Sequence, residues 1–498
     1  MQEIEMNVSQ FFSQQSEEDR TRKRPNVLLI ITDQERSLQH FPDDFCREHL
    51  PAMCRLLRHG LSFQNYFTNA CMCSPSRATL MTSQFPVQTG VTTTGSPQPR
   101  SKLPTDIVNL ATVFREAGYH TEWHGKWHLG GEPSDYGFDG WSPPDAGNYL
   151  SVTGPGGETL GGGTPNEDTR FLDEICSFLE HRRPELNKPF LLVASFVNPH
   201  DVYVAQHGPC LGYTQEDFER IHVDLPSNWN ENPDGNNKPR AQGQMSIPYV
   251  TFKCQPQDYV NFYAYLHTVV DAQIGKLLDM FDRLDLTKST LIVKTADHGE
   301  QSLSHSLVEK FYNVYEESIH IPFIVSNPLI FPSPVQTQAL ASHVDILPTF
   351  YHLLGIPMDR EGDNAPLNRE FVGQDITPIL DHPESSDTTD HESCIHFNYD
   401  DIPCPNCPSI VRCIRTAGYK YAVYFAPNGQ DADWELYDLQ KDPLENHNLA
   451  GMKEYESIQV SLETKLLERM KHYQTLPIQF EWPPKPTKYS VGVSETIN

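Results

Sequence analysis

The chain has 498 residues, enough for a large α/β domain together with a smaller one. Hydrophobic residues make up 38% of it, and no apolar run approaches the roughly 20 residues that cross a bilayer, which excludes a disordered or membrane-spanning protein. With 38 Lys and Arg against 66 Asp and Glu the net charge is -28, which argues against nucleic acid or an anionic membrane as a partner.

The N-terminal segment, residues 1–24, lacks the apolar stretch of a secretory signal and is predicted to be a flexible tail. A cytoplasmic location is therefore expected. In that reducing compartment we expect no disulfide among the 11 cysteines.

Continuous apolar runs predict strands that are buried on both faces, as in a parallel sheet flanked by helices. These runs span residues 26–34, 190–201, 290–300 and 321–328. Helical patterns lie between or after them at residues 105–118, 169–183, 259–284 and 343–355. The alternation predicts an α/β fold with a large, mostly parallel sheet sandwiched between helices.

Polar residues follow three of these predicted strands, as Asp33-Gln34, His200-Asp201 and Asp297-His298. Ligands of open α/β sheets bind beyond the carboxyl ends of the strands. The sequence therefore predicts a site at this edge.

Two segments rich in Gly, Pro, Asn and Asp, residues 151–168 and 204–258, are predicted to be long loops that determine specificity. The polar, acidic stretch 381–393 marks a boundary between a catalytic domain, residues 25–385, and a smaller domain, residues 386–498. In that smaller α+β domain, a short antiparallel sheet is predicted from residues 413–426 and 434–443, followed by a helix at 454–473.

The stretch Cys73-Ser74-Pro75-Ser76-Arg77, with Leu80 and Thr82, resembles the sulfatase signature C-x-P-S-R-x-x-x-L-x-T-G. The match departs at its end, where Ser83 and Gln84 replace the usual Gly and Arg. Other motifs follow in the order seen in sulfatases, so the resemblance covers roughly residues 25–450. They are Asp33-Gln34, GKWHLG from Gly125, NPH ending at His200, ADHGE from Ala296 and EKFYNVYEESIHIPFIV from Glu309.

The resemblance implies an alkaline phosphatase-like fold and the conversion of Cys73 to formylglycine, whose hydrate attacks the sulfur of a sulfate ester. It also implies a divalent metal site, with calcium as the first choice and manganese or magnesium as alternatives. The implied metal ligands are Asp33, Gln34, Cys73, Asp297 and His298. The Asp-Gln and Asp-His pairs resemble the branch of choline sulfatases and phosphonate monoester hydrolases.

By the same resemblance, Arg77 braces the formylglycine hydrate and the metal ligands, and Lys126 and Lys310 bind the sulfate oxygens. His128 is then the base that releases sulfate, and His200 is the acid that protonates the leaving alcohol. The histidines His124, His305 and His320 receive no role. The pair Cys404 and Cys407 lacks further zinc ligands at suitable spacing and is expected to be a loop with two incidental thiols.

The leading hypothesis is a sulfatase that hydrolyses a small aryl or alkyl sulfate monoester. A hydrolase of phosphonate monoesters or phosphodiesters with the same site is the second hypothesis, and a non-catalytic relative used for binding is the third. A formylglycine-generating enzyme is the implied maturation partner. Whether the protein is a monomer or a homo-oligomer stays open.

Overall fold

The computed structural model describes residues 6–13, 24–38, 41–94, 100–146, 167–205, 212–232, 237–243, 254–356, 371–384, 394–401, 407–427 and 431–477. The strands are β1 Asn26–Asp33, β2 Gly60–Phe67, β3 His120–Gly125, β4 Phe190–Pro199, β5 Thr290–Ala296, β6 Phe323–Ser326, β7 Val335–Ser342, β8 Cys394–Tyr399, β9 Ile410–Thr416, β10 Tyr419–Phe425 and β11 Ala432–Asp438.

The α-helices are α1 Val8–Ser13, α2 Phe45–His49, α3 Pro51–Arg58, α4 Cys73–Thr82, α5 Pro86–Thr89, α6 Leu110–Glu116, α7 Asp168–Ser177, α8 Val202–Ala205, α9 Gln215–Glu219, α10 Arg240–Gly243, α11 Pro256–Arg283, α12 Glu316–Ile319, α13 Ile346–Leu353, α14 Thr377–Asp381 and α15 Glu456–His472. None of these described helices is both long enough and apolar enough to cross a membrane.

Strands β1 to β7 form one mixed sheet in the order β3-β4-β1-β5-β6-β2-β7. The pairs β3-β4, β4-β1, β1-β5 and β2-β7 are parallel, whereas β6 runs antiparallel to both of its neighbours. The predicted mostly parallel sheet is confirmed. The apolar run 321–328 does contain a buried strand, β6. Its antiparallel direction was not predicted, because hydrophobicity reports burial and not orientation.

The two faces of this sheet bury alternate residues of the same strand. In β1, Val27, Leu29 and Ile31 belong to one apolar core, and Leu28 and Ile30 belong to the other. Helices α4, α6 and α13 contribute to the first core, and α3, α7 and α11 contribute to the second. The continuous apolar pattern of β1 therefore follows from helices packed on both sides.

Two predicted elements begin or end elsewhere in the structure. Helix α6 begins at Leu110 and not near residue 105, because the Asn109 side chain accepts the amides of Ala111 and Thr112 as a helix cap. Within the segment 1–24, predicted to be a flexible tail, α1 is packed, with Val8 fully buried and the Ser9 amide donating to Asp381 Oδ1 at 2.9 Å.

The second sheet is antiparallel in the order β11-β10-β9-β8, and α15 packs on it through Leu462, Leu466 and Met470. The predicted smaller α+β unit with a short antiparallel sheet is confirmed. Residues 404–406 of the segment Cys404–Cys407 and most of the predicted loop 151–168 lie outside the described residues. Cys407 is disulfide-bonded, so the expectation of no disulfide and the expectation of an incidental thiol at this position are both wrong.

Candidate active site

The predicted site residues converge where β4, β1 and β5 end side by side. Because these strands are parallel neighbours, Asp33, His200 and Asp297 reach the same edge of the sheet. Helix α4 begins at this edge with Cys73 in its first turn. Potential ligand atoms of Asp33, Cys73, Asp297 and His298, all buried, lie within 4.8 Å of one another.

Cys73 is surrounded by charged groups. Its Sγ lies 3.2 Å from His298 Nε2, 3.7 Å from Lys126 Nζ and 3.8 Å from Asp33 Oδ1. Burial raises the pKa of the Cys73 thiol and Asp33 raises it further, but Lys126, Lys310 and His298 outweigh both and hold the pKa well below its usual value. The pocket therefore stabilises negative charge at position 73.

Arg77 joins the two aspartates, as the resemblance implies. Its Nε donates to Asp297 Oδ2 and one Nη donates to Asp33 Oδ2, both at 2.9 Å. The other Nη donates to Lys126 O and Ser195 Oγ, also at 2.9 Å. This buried guanidinium fixes both carboxylates relative to α4.

Lys126 reaches the site because β3 approaches β4 closely at its end. The Lys126 amide donates to Ser195 O at 2.9 Å, and a Cβ on Gly125 would lie only 1.9 Å from the same oxygen. Gly125 also has a φ of +102°, so glycine is required there for two reasons. Lys126 Nζ then lies 2.6 Å from Asp33 Oδ2.

Opposite charges set the pKa of Asp33. Burial raises it, but Lys126, His200 and Arg77 outweigh burial and hold the pKa of Asp33 well below its ordinary value. At neutral pH this carboxylate is therefore ionised and available to a cation.

Gln34 and Lys310 belong to a polar network next to this cluster. Lys310 Nζ donates to Gln34 Oε1 at 2.7 Å and to Glu309 Oε2 at 2.8 Å, and Gln34 Nε2 donates to Glu300 and Glu309. The structure thus engages the Gln34 oxygen with a lysine, and metal ligation by Gln34 stays a prediction. Burial and the nearby Glu309 raise the pKa of Glu300, while Lys310 lowers it.

Glu300 and Glu309 were not predicted from the sequence to have a role, although both lie inside the motifs ADHGE and EKFYN. Their buried carboxylates hold Gln34 and Lys310 in place. The sequence did contain a signal for both residues. Glu300 lies at the end of a predicted strand, and Glu309 directly precedes the predicted sulfate-binding Lys310.

The two candidate acid-base histidines have different surroundings. His200 is 6% exposed, and its Nε2 lies 3.9 Å from Asp33 Oδ1. The His128 carbonyl accepts a hydrogen bond from Ser74 Oγ at 2.6 Å, which places its backbone beside the start of α4. Within the described part of the chain, the buried Nδ1 of His128 has no hydrogen-bond partner, and no described contact joins its ring to Cys73.

The residues present fit a divalent cation. Asp33 and Asp297 offer carboxylate oxygens and His298 offers an imidazole nitrogen, a donor set that suits first-row divalent ions as well as calcium. His298 Nδ1 is 3.0 Å from Gly299 O, which orients Nε2 toward the cluster.

A buried cationic pocket around Cys73, with a divalent-metal donor set at the ends of parallel strands, is the arrangement expected of a hydrolase of anionic esters. The family model described as Sulfatase matches residues 25–356, and the model described as N-sulphoglucosamine sulphohydrolase, C-terminal, matches residues 304–472. The chain belongs to the sulfatase family, and the predicted family membership is confirmed.

Individual relatives agree with this membership. The chain is 24% identical to an N-acetylglucosamine-6-O-sulfatase of Bacteroides thetaiotaomicron, over 91% of this chain and 87% of the relative. It is 28% identical to a choline-sulfatase of Rhizobium meliloti, over 86% and 83% of the two chains.

Solved structures share the fold. BT4656, in complex with its substrate D-glucosamine-2-N,6-O-disulfate, superposes with a TM-score of 0.72 at 23% identity and covers 91% of this chain and 99% of its own. A phosphonate monoester hydrolase from Silicibacter pomeroyi superposes with a TM-score of 0.67 at 19% identity, over 92% and 96% of the two chains. The predicted alkaline phosphatase-like fold is confirmed.

Proposed function

We propose that this sulfuric ester hydrolase acts on a sulfate monoester of an alkyl or aryl alcohol and releases the alcohol and inorganic sulfate. The observation that carries the proposal is the position of Cys73, at the start of α4 and within 4 Å of His298, Lys126 and Asp33. A sulfate ester breaks through a loose transition state with charge on the sulfuryl and leaving oxygens, and such charge is stabilised by fixed cations.

Two lysines supply these cations. Lys126 and Lys310 are buried, and the nearby negative charges raise the pKa of each against the effect of burial, so both ammonium groups stay charged at neutral pH. They bind the sulfate oxygens, while Arg77 keeps Asp33 and Asp297 fixed.

The two histidines move the protons. His200 donates a proton to the leaving oxygen, and His128 accepts the proton whose removal frees sulfate. Both steps suit imidazole, the side chain that most often serves as general acid and base in enzymes.

Two groups complete the site in this proposal. A formylglycine hydrate at position 73, produced by a formylglycine-generating enzyme, supplies one hydroxyl as nucleophile and a second that allows sulfate to leave. A divalent cation would be held by Asp33, Gln34, Asp297 and His298 and would supply Lewis-acid polarisation of a sulfate oxygen. We propose calcium first, with manganese and magnesium tested beside it.

Substitution of the two neighbouring cysteines tests the proposal. Cys73→Ala should lower turnover of 4-nitrophenyl sulfate by at least about 10³-fold, because the nucleophile is lost. Cys71→Ala is the matched control, since Cys71 Sγ donates to Ser318 O at 3.4 Å within an apolar cluster, and it should keep most of the activity. The reverse result would show that the wrong cysteine was assigned.

A phosphonate monoester or phosphodiester is the second candidate substrate class. It is supported by the imidazole in the metal donor set and by the structural similarity to a phosphonate monoester hydrolase. Parallel assays with 4-nitrophenyl sulfate, bis(4-nitrophenyl) phosphate and N-acetylglucosamine-6-sulfate separate the classes. Faster turnover of the phosphodiester would reverse our order, and turnover of the sugar sulfate alone would replace the small ester by a sulfated sugar.

A further inference from the structure

We propose that Asp145 and Asp168 are positioning residues that hold the two acid-base histidines, His128 and His200, each by binding two consecutive backbone amides. This inference rests on the proposed function, which assigns the proton transfers to those histidines.

Asp145 binds the backbone at His128. Its Oδ1 accepts the Trp127 amide and its Oδ2 accepts the His128 amide, both at 2.8 Å. These amides follow the end of β3 at Gly125 and are not paired with a strand. A carboxylate that accepts two successive amides fixes the direction of both peptide units.

His128 has a backbone conformation that requires such support. Its φ is +60°, in the left-handed region that a non-glycine residue rarely adopts. Asp145 binds its amide on one side, and Ser74 Oγ binds its carbonyl at 2.6 Å on the other. The second contact connects His128 to the residue next to Cys73, so the two contacts together set its position relative to the nucleophile.

Asp168 acts in the same way on the strand that leads to His200. It is fully buried in the first turn of α7, and its two oxygens accept the amides of Val197 at 2.6 Å and Asn198 at 3.0 Å.

An irregularity of the sheet explains why these amides are available. In the pairing of β1 with β4, Ile31 faces Ser195 but Asp33 faces Pro199, so β4 contains two more residues than β1 over this step. The extra residues leave the regular ladder, as in a β-bulge, and re-aim the chain that follows. Asp168 fixes this bulge, and the His200 amide then donates to Val197 O at 3.0 Å.

Neither carboxylate is placed to react itself. Both oxygens of Asp145 and both oxygens of Asp168 accept backbone amides, and no described hydrogen bond joins either residue to Cys73 or Asp33. We therefore expect their main effect on the reaction to pass through the histidines; Asp145 also interacts electrostatically with Arg77.

Asp271 of α11 provides a matched control. Its two oxygens accept the amides of Ala52 and Met53, both at 2.8 Å, at the start of α3, and no described hydrogen bond joins it to either acid-base histidine. An Asp→Asn change at any of the three positions replaces one acceptor by an NH₂ group that faces a backbone donor. The chemical change is thus the same, and only the attached segment differs.

The test combines amide exchange with leaving-group dependence. Asp145→Asn should speed deuterium exchange in peptides covering 127–128, and Asp168→Asn should speed it in peptides covering 197–198, each relative to the unmodified protein.

Asp168→Asn should lower kcat/KM for phenyl sulfate by about 10-fold or more and change kcat/KM for 4-nitrophenyl sulfate little, because only the poorer leaving group needs the acid. Asp145→Asn should lower turnover of both esters similarly, and Asp271→Asn should change neither.

Double variants decide whether each aspartate acts through its histidine. Asp168→Asn should cause no further loss in a His200→Ala background but its full loss in a His128→Ala background, and Asp145→Asn should show the opposite pattern. Unchanged amide exchange, or equal losses in both backgrounds, overturns the inference. Full activity of His128→Ala and His200→Ala would instead refute the proposed proton transfers, so the two failures are distinguishable.

Discussion

Cys71 and Cys73 lie two residues apart and have opposite surroundings. Burial raises the pKa of the Cys71 thiol far above its usual value, and Lys310 offsets this only in part. At Cys73 the same burial is outweighed by Lys126, Lys310 and His298. The spacing to Pro75 and Arg77 predicts that Cys73 is the modified cysteine, and the concentration of cations around Cys73 supports that prediction.

The sequence predicted the charged residues of the site better than those that support them. Asp33, Asp297 and Lys126 stand in recognisable motifs and do converge around Cys73. Asp145 lies in a stretch whose composition indicates only a loop, so nothing in the local pattern indicates that its oxygens bind the amides at 127 and 128. Long-range backbone contacts of this kind leave no periodic signal.

His396 predicts a pH dependence of stability at the scale of a single residue. Burial lowers its pKa to about 3, and the nearby Arg412 and Arg469 contribute. In the unfolded chain a histidine has a pKa of about 6.5, so below that pH the unfolded chain binds a proton that the folded chain does not. The stability contribution is therefore present above pH 6.5 and is lost as pH falls toward 3.

His396→Gln removes this pH-dependent contribution to the free energy of unfolding. Between pH 6.5 and pH 5 the contribution amounts to about 2 kcal/mol. The free energy of unfolding of the variant, measured by urea titration at pH 7 and pH 5, should therefore fall by about 2 kcal/mol less than that of the unmodified protein. An identical fall in the two proteins would show that His396 is protonated in the folded state.

At the scale of elements, the short strand β3 positions Lys126, but the sequence of β3 does not have the pattern of a buried strand. His120, Glu122 and His124 occupy one face of β3, where the Glu122 carboxylate lies 2.8 Å from His120 Nε2 and 3.0 Å from His124 Nε2. A buried polar face of this kind breaks the apolar pattern, so β3 was not predicted. β2 and β7 were also not predicted: β7 carries partly exposed and polar residues along much of its length.

The end of β3 predicts a difference between two glycines. Gly125→Ala should lower both activity and stability strongly, because the new Cβ would lie 1.9 Å from Ser195 O and displace Lys126. Gly118 also has a positive φ, but a Cβ there meets no atom within 4 Å, so Gly118→Ala should cost only the backbone strain of about 1 kcal/mol. Thermal unfolding and kcat/KM measure both effects. Equal losses in the two variants would show that close packing at Gly125 does not matter.

At the scale of the whole molecule, the second sheet supports the segments that form the site. The Asn398 amide of β8 donates to Asn69 O at 2.9 Å, shortly before Cys73 in the chain. Buried Lys420 of β10 lies 2.8 Å from Glu316 and 2.7 Å from Glu445, which fixes the chain that follows Lys310. Such a buried cation is strongly bound only while both carboxylates remain.

The fold class and the order of the two units could be predicted from the alternation of apolar runs and helical patterns, since both patterns depend on burial alone. The docking of the second sheet did not, because it depends on isolated pairs such as Lys420 and Glu316 that are more than 100 residues apart. The boundary at residues 385 and 386 stays a prediction.

The most direct test of the account is the chemical state of residue 73. Protein produced together with a formylglycine-generating enzyme is digested, and peptides covering residues 69–83 are measured by mass spectrometry with and without a hydrazide probe. We expect an aldehyde at position 73 that reacts with the probe and an intact thiol at Cys71. A protein that hydrolyses sulfate esters while every such peptide carries an unmodified Cys73 would contradict it.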